Sequence, residues 1–225
     1  MQRQGVWWAF AILIVSLITL CILPGIAARS SAVEIAPTSV ADSALRGGPG
    51  AFGSPRPDGK KHTGVDIVSK KTSMDKNVYR VLAVSSGVVA YAGHNGKVEP
   101  DGPTKGYGYT VIIDHDDDLY TLYAHLAYLS SSNLVKVGDH VKTGQIIGYM
   151  ADLAINEKSS GNVLAAVVGK YDKIQLHFEE FRAPSGRHSS ASINDDIKKI
   201  DFDLIDPTSE LKKFKYYEYK DEDKK

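Results

Sequence analysis

From residue 78 to 181 the chain alternates short runs of Val, Ile, Leu and Tyr with Gly, Asn and Asp: "VYRVLAVSSGVVAYAGHNG", "GYTVIIDHDDDLYTLYAHL", "HVKTGQIIGYM" and "KIQLHFEEF". Short β-branched and aromatic runs bounded by turn formers predict the strands of an all-β domain. Within it, "NLVKVGDHVKTGQIIGYM" predicts two short strands about a Gly-Asp turn. The pattern loosens at 151–173 and again at 183–201, which read as surface insertions.

The ends behave differently. Val6 to Leu23 is an uncharged run of eighteen residues with only Ser16 and Thr19 as polar members, long enough to enter a bilayer. Pro24-Gly25 and then Ile26-Ala27-Ala28 resemble the end of a secretory signal. Arg3 against Arg29 gives little charge asymmetry, so residues 1–28 read equally as a cleaved signal peptide or a retained N-terminal membrane anchor. Either reading exports the rest of the chain to the periplasm or cell envelope. Residues 29–50, rich in Ala, Ser, Pro and Gly, read as a flexible linker, 51–210 as the principal domain, and 211–225 as a charged tail.

Composition narrows the partners. Lys+Arg and Asp+Glu number 27 each, so no net field favours nucleic acid. The single cysteine, Cys21, lies in the apolar run, so the exported part has no thiol and forms no disulfide. Leu20 before it is bulkier than a lipoprotein signal requires.

In "IQLHFEE" taken as a strand, Ile174, Leu176 and Phe178 share one face and belong to the core; Gln175, His177 and Glu179 share the other. In "LYTLYAHL" the same alternation puts Leu122, Ala124 and Leu126 toward the core and Thr121, Tyr123 and His125 away from it. The stretch "HTGVD" brings His62 and Asp66 to one side in either a strand or a helix, and Gly64 between them permits close backbone approach. Two histidines and an aspartate form a mixed nitrogen and oxygen set suited to zinc, with a fourth position open to water. An unliganded histidine beside such a site can move a proton or stabilise an oxyanion.

The ordered segments "FGSPRPDGKKHTGVDI", "VLAVSSGVVAYAG", "GYGYTVIIDHDDDLYTLYAHL", "VKVGDHVKTGQIIGYM", "LHFE" and the closing "DP" resemble the lysostaphin-type or LytM-type zinc metalloendopeptidases. That family cuts peptide bonds in peptidoglycan. The resemblance implies an antiparallel β-sheet core of the duplicated-hybrid-motif type. It also implies zinc held by His62, Asp66 and His177, with His125 acting on substrate and water without binding metal.

One position departs from the family. Where the family's HxH motif begins with a second non-liganding histidine, this chain has Gln175. An amide can donate to an oxyanion but is no base near neutral pH. Two functions follow as expectations: an exported zinc endopeptidase acting on stem or cross-bridge peptides, or a related protein that binds cell-wall peptides or activates a separate partner hydrolase. The remaining histidines read as structural: His115 orienting a turn, His94 and His140 in exposed turn-like segments, and His188 in an insertion. Asp116-Asp117-Asp118 lacks the Gly and Glu of a calcium loop and reads as an acidic hairpin turn.

Overall fold

The structure, a computed structural model, describes residues 29–69, 79–97, 105–127, 134–152, 174–183 and 203–219. The apolar run at 6–23, residues 153–173 and 184–201 of the two expected insertions, and with them His188, lie outside the described residues. Among the described residues no helix is long and apolar enough to cross a membrane.

Among the described residues twelve strands form in chain order: β1 (Ser43–Arg46), β2 (Val65–Ser69), β3 (Arg80–Leu82), β4 (Gly87–Lys97), β5 (Lys105–Asp114), β6 (Leu119–Leu126), β7 (His140–Val141), β8 (Ile146–Tyr149), β9 (Ala151–Asp152), β10 (Ile174–Arg182), β11 (Asp203–Ile205) and β12 (Tyr217–Tyr219). A short helix, α1 (Thr208–Lys212), precedes β12. The main sheet runs β12-β1-β2-β10-β6-β5-β4-β7, with β9 and β11 also paired to β10, and every pairing except β1–β12 is antiparallel. β10 lies inside this sheet, bonded to β2 on one side and β6 on the other.

Alternation along β10 explains the core. Ile174, Leu176 and Phe178 pack into the larger apolar cluster with Ile67, Val89, Val111, Ile113 and Tyr123. The two-stranded β3–β8 sheet contributes Val81, Ile147 and Tyr149 to the same cluster, forming a second layer. The opposite sheet face carries a smaller apolar cluster that includes Ile112, Leu122, Ala124 and Phe181.

Four expectations are corrected. Residues 29–50 are no free linker over their described length: β1 pairs with β2, and the segment before it is docked. The buried Glu180 carboxylate accepts from Ser31 Oγ at 3.0 Å and from the Ala32 N–H, and Tyr216 Oη contacts Thr38 Oγ1 at 2.6 Å. The tail is likewise part of the fold to residue 219, because Leu211 and Tyr216 are buried and β12 completes the sheet edge beside β1. The two short strands expected in 133–150 are β7 and β8, but they turn about Thr143-Gly144 and join different sheets, since Gly138-Asp139 precedes β7. His94 and His140 lie in β4 and β7, and only His140 is exposed.

The β5–β6 hairpin has the acidic turn expected of it. Asp116, Asp117 and Asp118 all have positive φ, at 68°, 53° and 60°, and the turn closes with Leu119 N–H donating to Asp116 O at 3.0 Å. His115 is buried beside it, donating from Nδ1 to Ser86 O at 2.8 Å and meeting Thr121 Oγ1 at 2.7 Å through Nε2. Burial lowers its pKa, so it is a neutral core residue.

Candidate metal centre

His62 immediately precedes β2, in a loop pinned by its own backbone: His62 N–H donates to Ser54 O and Gly53 N–H donates to His62 O, both at 2.8 Å. Four residues later Asp66 sits in β2, and the β2–β10 register sets it directly opposite His177. Gly64 makes this approach possible, since a Cβ there would lie 2.2 Å from Phe178 O and 2.8 Å from Glu179 Cγ. The three side chains are 4%, 2% and 4% exposed, so their polar atoms must find partners within the protein.

They find one another. His62 Nε2 is 2.9 Å from His177 Nδ1 and 3.3 Å from Asp66 Oδ1, and His177 Nδ1 is 3.2 Å from the same oxygen. Ligand bonds of about 2.0–2.1 Å in a tetrahedron put neighbouring donors about 3.3 Å apart, so the three separations fit a zinc-sized cation with small adjustment. The far nitrogens are already occupied. His62 Nδ1 donates to Ala51 O at 3.0 Å, and His177 Nε2 donates to Glu179 Oε1 at 2.7 Å. With both imidazoles neutral, these bonds would leave the two inner nitrogens as lone pairs available to a cation.

Without a cation this cluster is strongly polarised. Burial alone would raise the Asp66 carboxyl, but the hydrogen bonds from His177 and His62 overturn that and hold it well below the usual carboxylate range. Burial would likewise depress His177, yet its bonds to Asp66 and Glu179 lift its pKa to about 9. Arg56 Nη2 approaches Asp66 Oδ2 at 3.9 Å from the partly exposed side.

His125 reaches the site by an unexpected route. Simple alternation would group it with Thr121 and Tyr123, but both of those face the core: Tyr123 pairs with Phe178, and their rings meet edge-on at 5.4 Å. The pairing of β5 with β6 jumps from Tyr109↔Leu126 to Val111↔Tyr123, so Ala124 and His125 together oppose Thr110 alone. This bulge, with His125 at φ 60°, re-aims the imidazole to 5.8 Å from the His177 ring, centroid to centroid. Leu122 and Ala124, expected in the core with Leu126, lie instead on the His177 face in the smaller cluster.

His125 is fully enclosed, and burial, reinforced by the neighbouring His177 charge, drops its pKa to about 3. It bonds the Tyr107 backbone, and its Nδ1 has no partner among the described residues. Gln175, on the His177 face two residues earlier, is 5% exposed, and its Oε1 also lacks a partner among them. The structure thus gathers His62, Asp66 and His177 into one cluster, sets His125 beside it and keeps Gln175 on the same strand face.

Three residues at the site were not singled out from the sequence: Glu179, Thr63 and Tyr107. Glu179 Oε1 accepts from Tyr107 Oη at 2.7 Å and from Thr63 Oγ1, in addition to His177. The period-two match of Glu179 with His177 was a usable signal; the other two lie on separate segments joined only by folding.

Known proteins resemble this chain in part of its sequence. The chain is 32% identical over 122 residues to the "Lipoprotein NlpD/LppB homolog" of Pseudomonas aeruginosa, covering 54% of this chain and 30% of that protein. It is 33% identical over 87 residues to the "Murein hydrolase activator NlpD" of Escherichia coli K12, covering 39% and 18% respectively. The chain therefore spans less than a third of the length of either relative. Among solved structures, that of lysostaphin in solution superimposes with a TM-score of 0.47 at 24% identity, over 84% of this chain and 58% of that one. A family model described as Peptidase family M23 matches residues 60–180, more than half of the chain. That stretch opens two residues before His62 and closes within β10, past His177, so it holds every residue of the cluster: the chain belongs to Peptidase family M23.

Proposed function

We propose that this protein is an exported zinc metalloendopeptidase that hydrolyses peptide bonds in the stems or cross-bridges of peptidoglycan, with His62, Asp66 and His177 as ligands. The observation that carries this reading is the convergence of three buried donor atoms, 2.9–3.3 Å apart, whose histidine members are each tied down at the far nitrogen. Bound zinc would supply Lewis acidity toward a peptide carbonyl and water. His125 keeps a neutral imidazole near neutral pH, with an Nδ1 lone pair, unpartnered among the described residues, able to accept a hydrogen bond. Gln175 positions or donates through its amide and moves no proton.

A second reading is favoured by Gln175 itself and by relatives named as murein hydrolase activators. In it the cluster binds metal and cell-wall peptide, and a separate hydrolase does the cutting. One experiment divides the two. Residues 29–225 are purified, bound metal is measured, and soluble fragments released from peptidoglycan are followed with and without chelator, alone and with an added murein hydrolase that is inactive by itself. Chelator-sensitive release by the protein alone supports the peptidase; release only with the second enzyme supports the activator. Export is tested separately by fusing residues 1–50 to a reporter active only outside the cytoplasm. A reporter that is made but stays inactive would remove both the signal and the anchor readings.

A further inference from the structure

The Glu179 carboxylate is 3% exposed and ends in the middle of three donors. Its Oε1 takes the Nε2–H of His177 at 2.7 Å, the hydroxyl of Tyr107 at 2.7 Å and the hydroxyl of Thr63. Thr63 and Tyr107 also touch each other, at 3.3 Å between their oxygens, so the carboxylate is braced from two segments that flank the ligands. Thr63 follows His62 directly; Tyr107 lies in β5, its ring 5.3 Å from that of His177. Burying a charge costs several kcal/mol unless it is bonded on several sides, and a lone structural carboxylate would gain nothing from this position.

We propose that Glu179, braced by Thr63 and Tyr107, is a positioning residue that holds His177 as its Nε2–H tautomer and presents Nδ1 to the cation. The geometry carries it. His177 has two nitrogens, and a ring turned over would put Nε2 inward and leave Nδ1 facing a carboxylate it no longer reaches squarely. A fixed acceptor on the outer nitrogen removes that choice and increases the donor strength of the inner one. Glu179 also adds a second negative charge to that of Asp66, behind the His177 ring, so two imidazoles and two carboxylates would surround one divalent ion. The hydroxyl braces stay protonated: burial first, and then the adjacent Glu179 charge, raise the Tyr107 phenol well above its ordinary value.

This inference rests on the metal reading above, and its test keeps the two apart. Zinc affinity of the full exported domain, residues 29–225, is measured by competition with a chromophoric chelator for wild type, Glu179→Leu, Glu179→Gln and Tyr107→Phe. The expected loss is about 10- to 100-fold for Glu179→Leu, less for Glu179→Gln, whose amide oxygen still accepts the N–H, and least for Tyr107→Phe. In the zinc-loaded protein, 15N-edited NMR should show one sharp, low-field Nε2–H signal for His177 in wild type and Glu179→Gln. Glu179→Leu should weaken that signal or move it to the other nitrogen. Should Glu179→Leu refold poorly, Glu179→Gln and Tyr107→Phe still carry the test. If the variants lose thermal stability yet keep wild-type zinc affinity and the same His177 signal, Glu179 is only structural and the inference falls. If wild type itself takes up no zinc, the metal reading falls and this one with it.

Discussion

The two halves of the site differ in one respect: how their buried polar atoms are satisfied. On the ligand side, formed by the His62 loop, β2 and β10, every inward nitrogen and oxygen has a protein partner, and each outer histidine nitrogen is locked by a carbonyl or carboxylate. On the other side, the β6 bulge and the start of β10 leave His125 Nδ1 and Gln175 Oε1 buried with no partner among the described residues. A buried polar atom without a bond costs roughly 1–3 kcal/mol. His125 lies beside the His177 ring and Gln175 on the same strand face, the side that the proposed function gives to substrate. In the proposed function the His62–Asp66–His177 half holds the metal and the His125–Gln175 half receives the peptide.

The strongest way to break this contrast is to remove a ligand. His62→Ala, Asp66→Ala and His177→Ala should each abolish stoichiometric zinc, taking the content from about one ion per chain to near zero by elemental analysis. His125→Ala should leave the zinc content unchanged while lowering peptidoglycan release. Full metal retention in any ligand variant would reject the assignment, and zinc loss in His125→Ala would erase the distinction between the halves.

Next in size is the repair of the receiving half. Gln175→His places an imidazole two residues from His177 on the same strand face, where it can serve as base or charged donor. Peptidoglycan hydrolysis should rise by about 100-fold, and adding His125→Ala should abolish the gain. If neither form cuts any stem or bridge peptide while both bind zinc, the activator reading replaces the endopeptidase.

A pH titration addresses the holding half without any mutation. The folded pKa of His177, about 9, lies above the unfolded value of about 6.5, so the folded state binds the proton more tightly. The stability this adds is fully present below pH 6.5 and lost as pH rises through 9. In metal-free protein, urea unfolding should therefore show stability falling between those two pH values. Zinc competes with that proton, so saturating zinc should flatten or invert the slope.

Much of this was legible in the chain, and the failures have physical causes. Along β10 the alternation of Ile174, Leu176 and Phe178 with Gln175, His177 and Glu179 is unbroken, because the strand is regular and bonded on both sides; parity alone found its two faces. Along β6 parity gave His125 the correct side through an incorrect face. Thr121 and Tyr123 point into the core, and a bulge with no glycine or proline to announce it turns His125 over. β1 was hidden for a different reason. "SALR" has no strand signature of its own and forms only because β2 and β12 offer edges on both sides, a tertiary effect that overrides weak propensity.

Two glycines give the smallest and most specific test, one in each half. At Gly64 the backbone is pressed against β10, and Gly64→Ala would drive its new methyl into Phe178 O and Glu179 Cγ. The sheet carbonyl cannot yield, so β2 must move away from β10 and separate Asp66 from His177. The substitution should cost about 2–3 kcal/mol and weaken zinc binding together with stability. Gly108 in β5 stands behind His125: an added Cβ meets the imidazole Nδ1 at 3.9 Å, ordinary contact distance, but the backbone there has φ 65°. Gly108→Ala therefore costs only the left-handed strain of about 1–2 kcal/mol. Since no ligand lies on β5, its zinc affinity should equal that of wild type. Paired denaturation and chelator-competition measurements decide the matter. Equal zinc loss in both variants would mean that the two halves move as one body; loss confined to Gly64→Ala would show that the cradle depends on the β2–β10 contact and not on the bulged strand beside it.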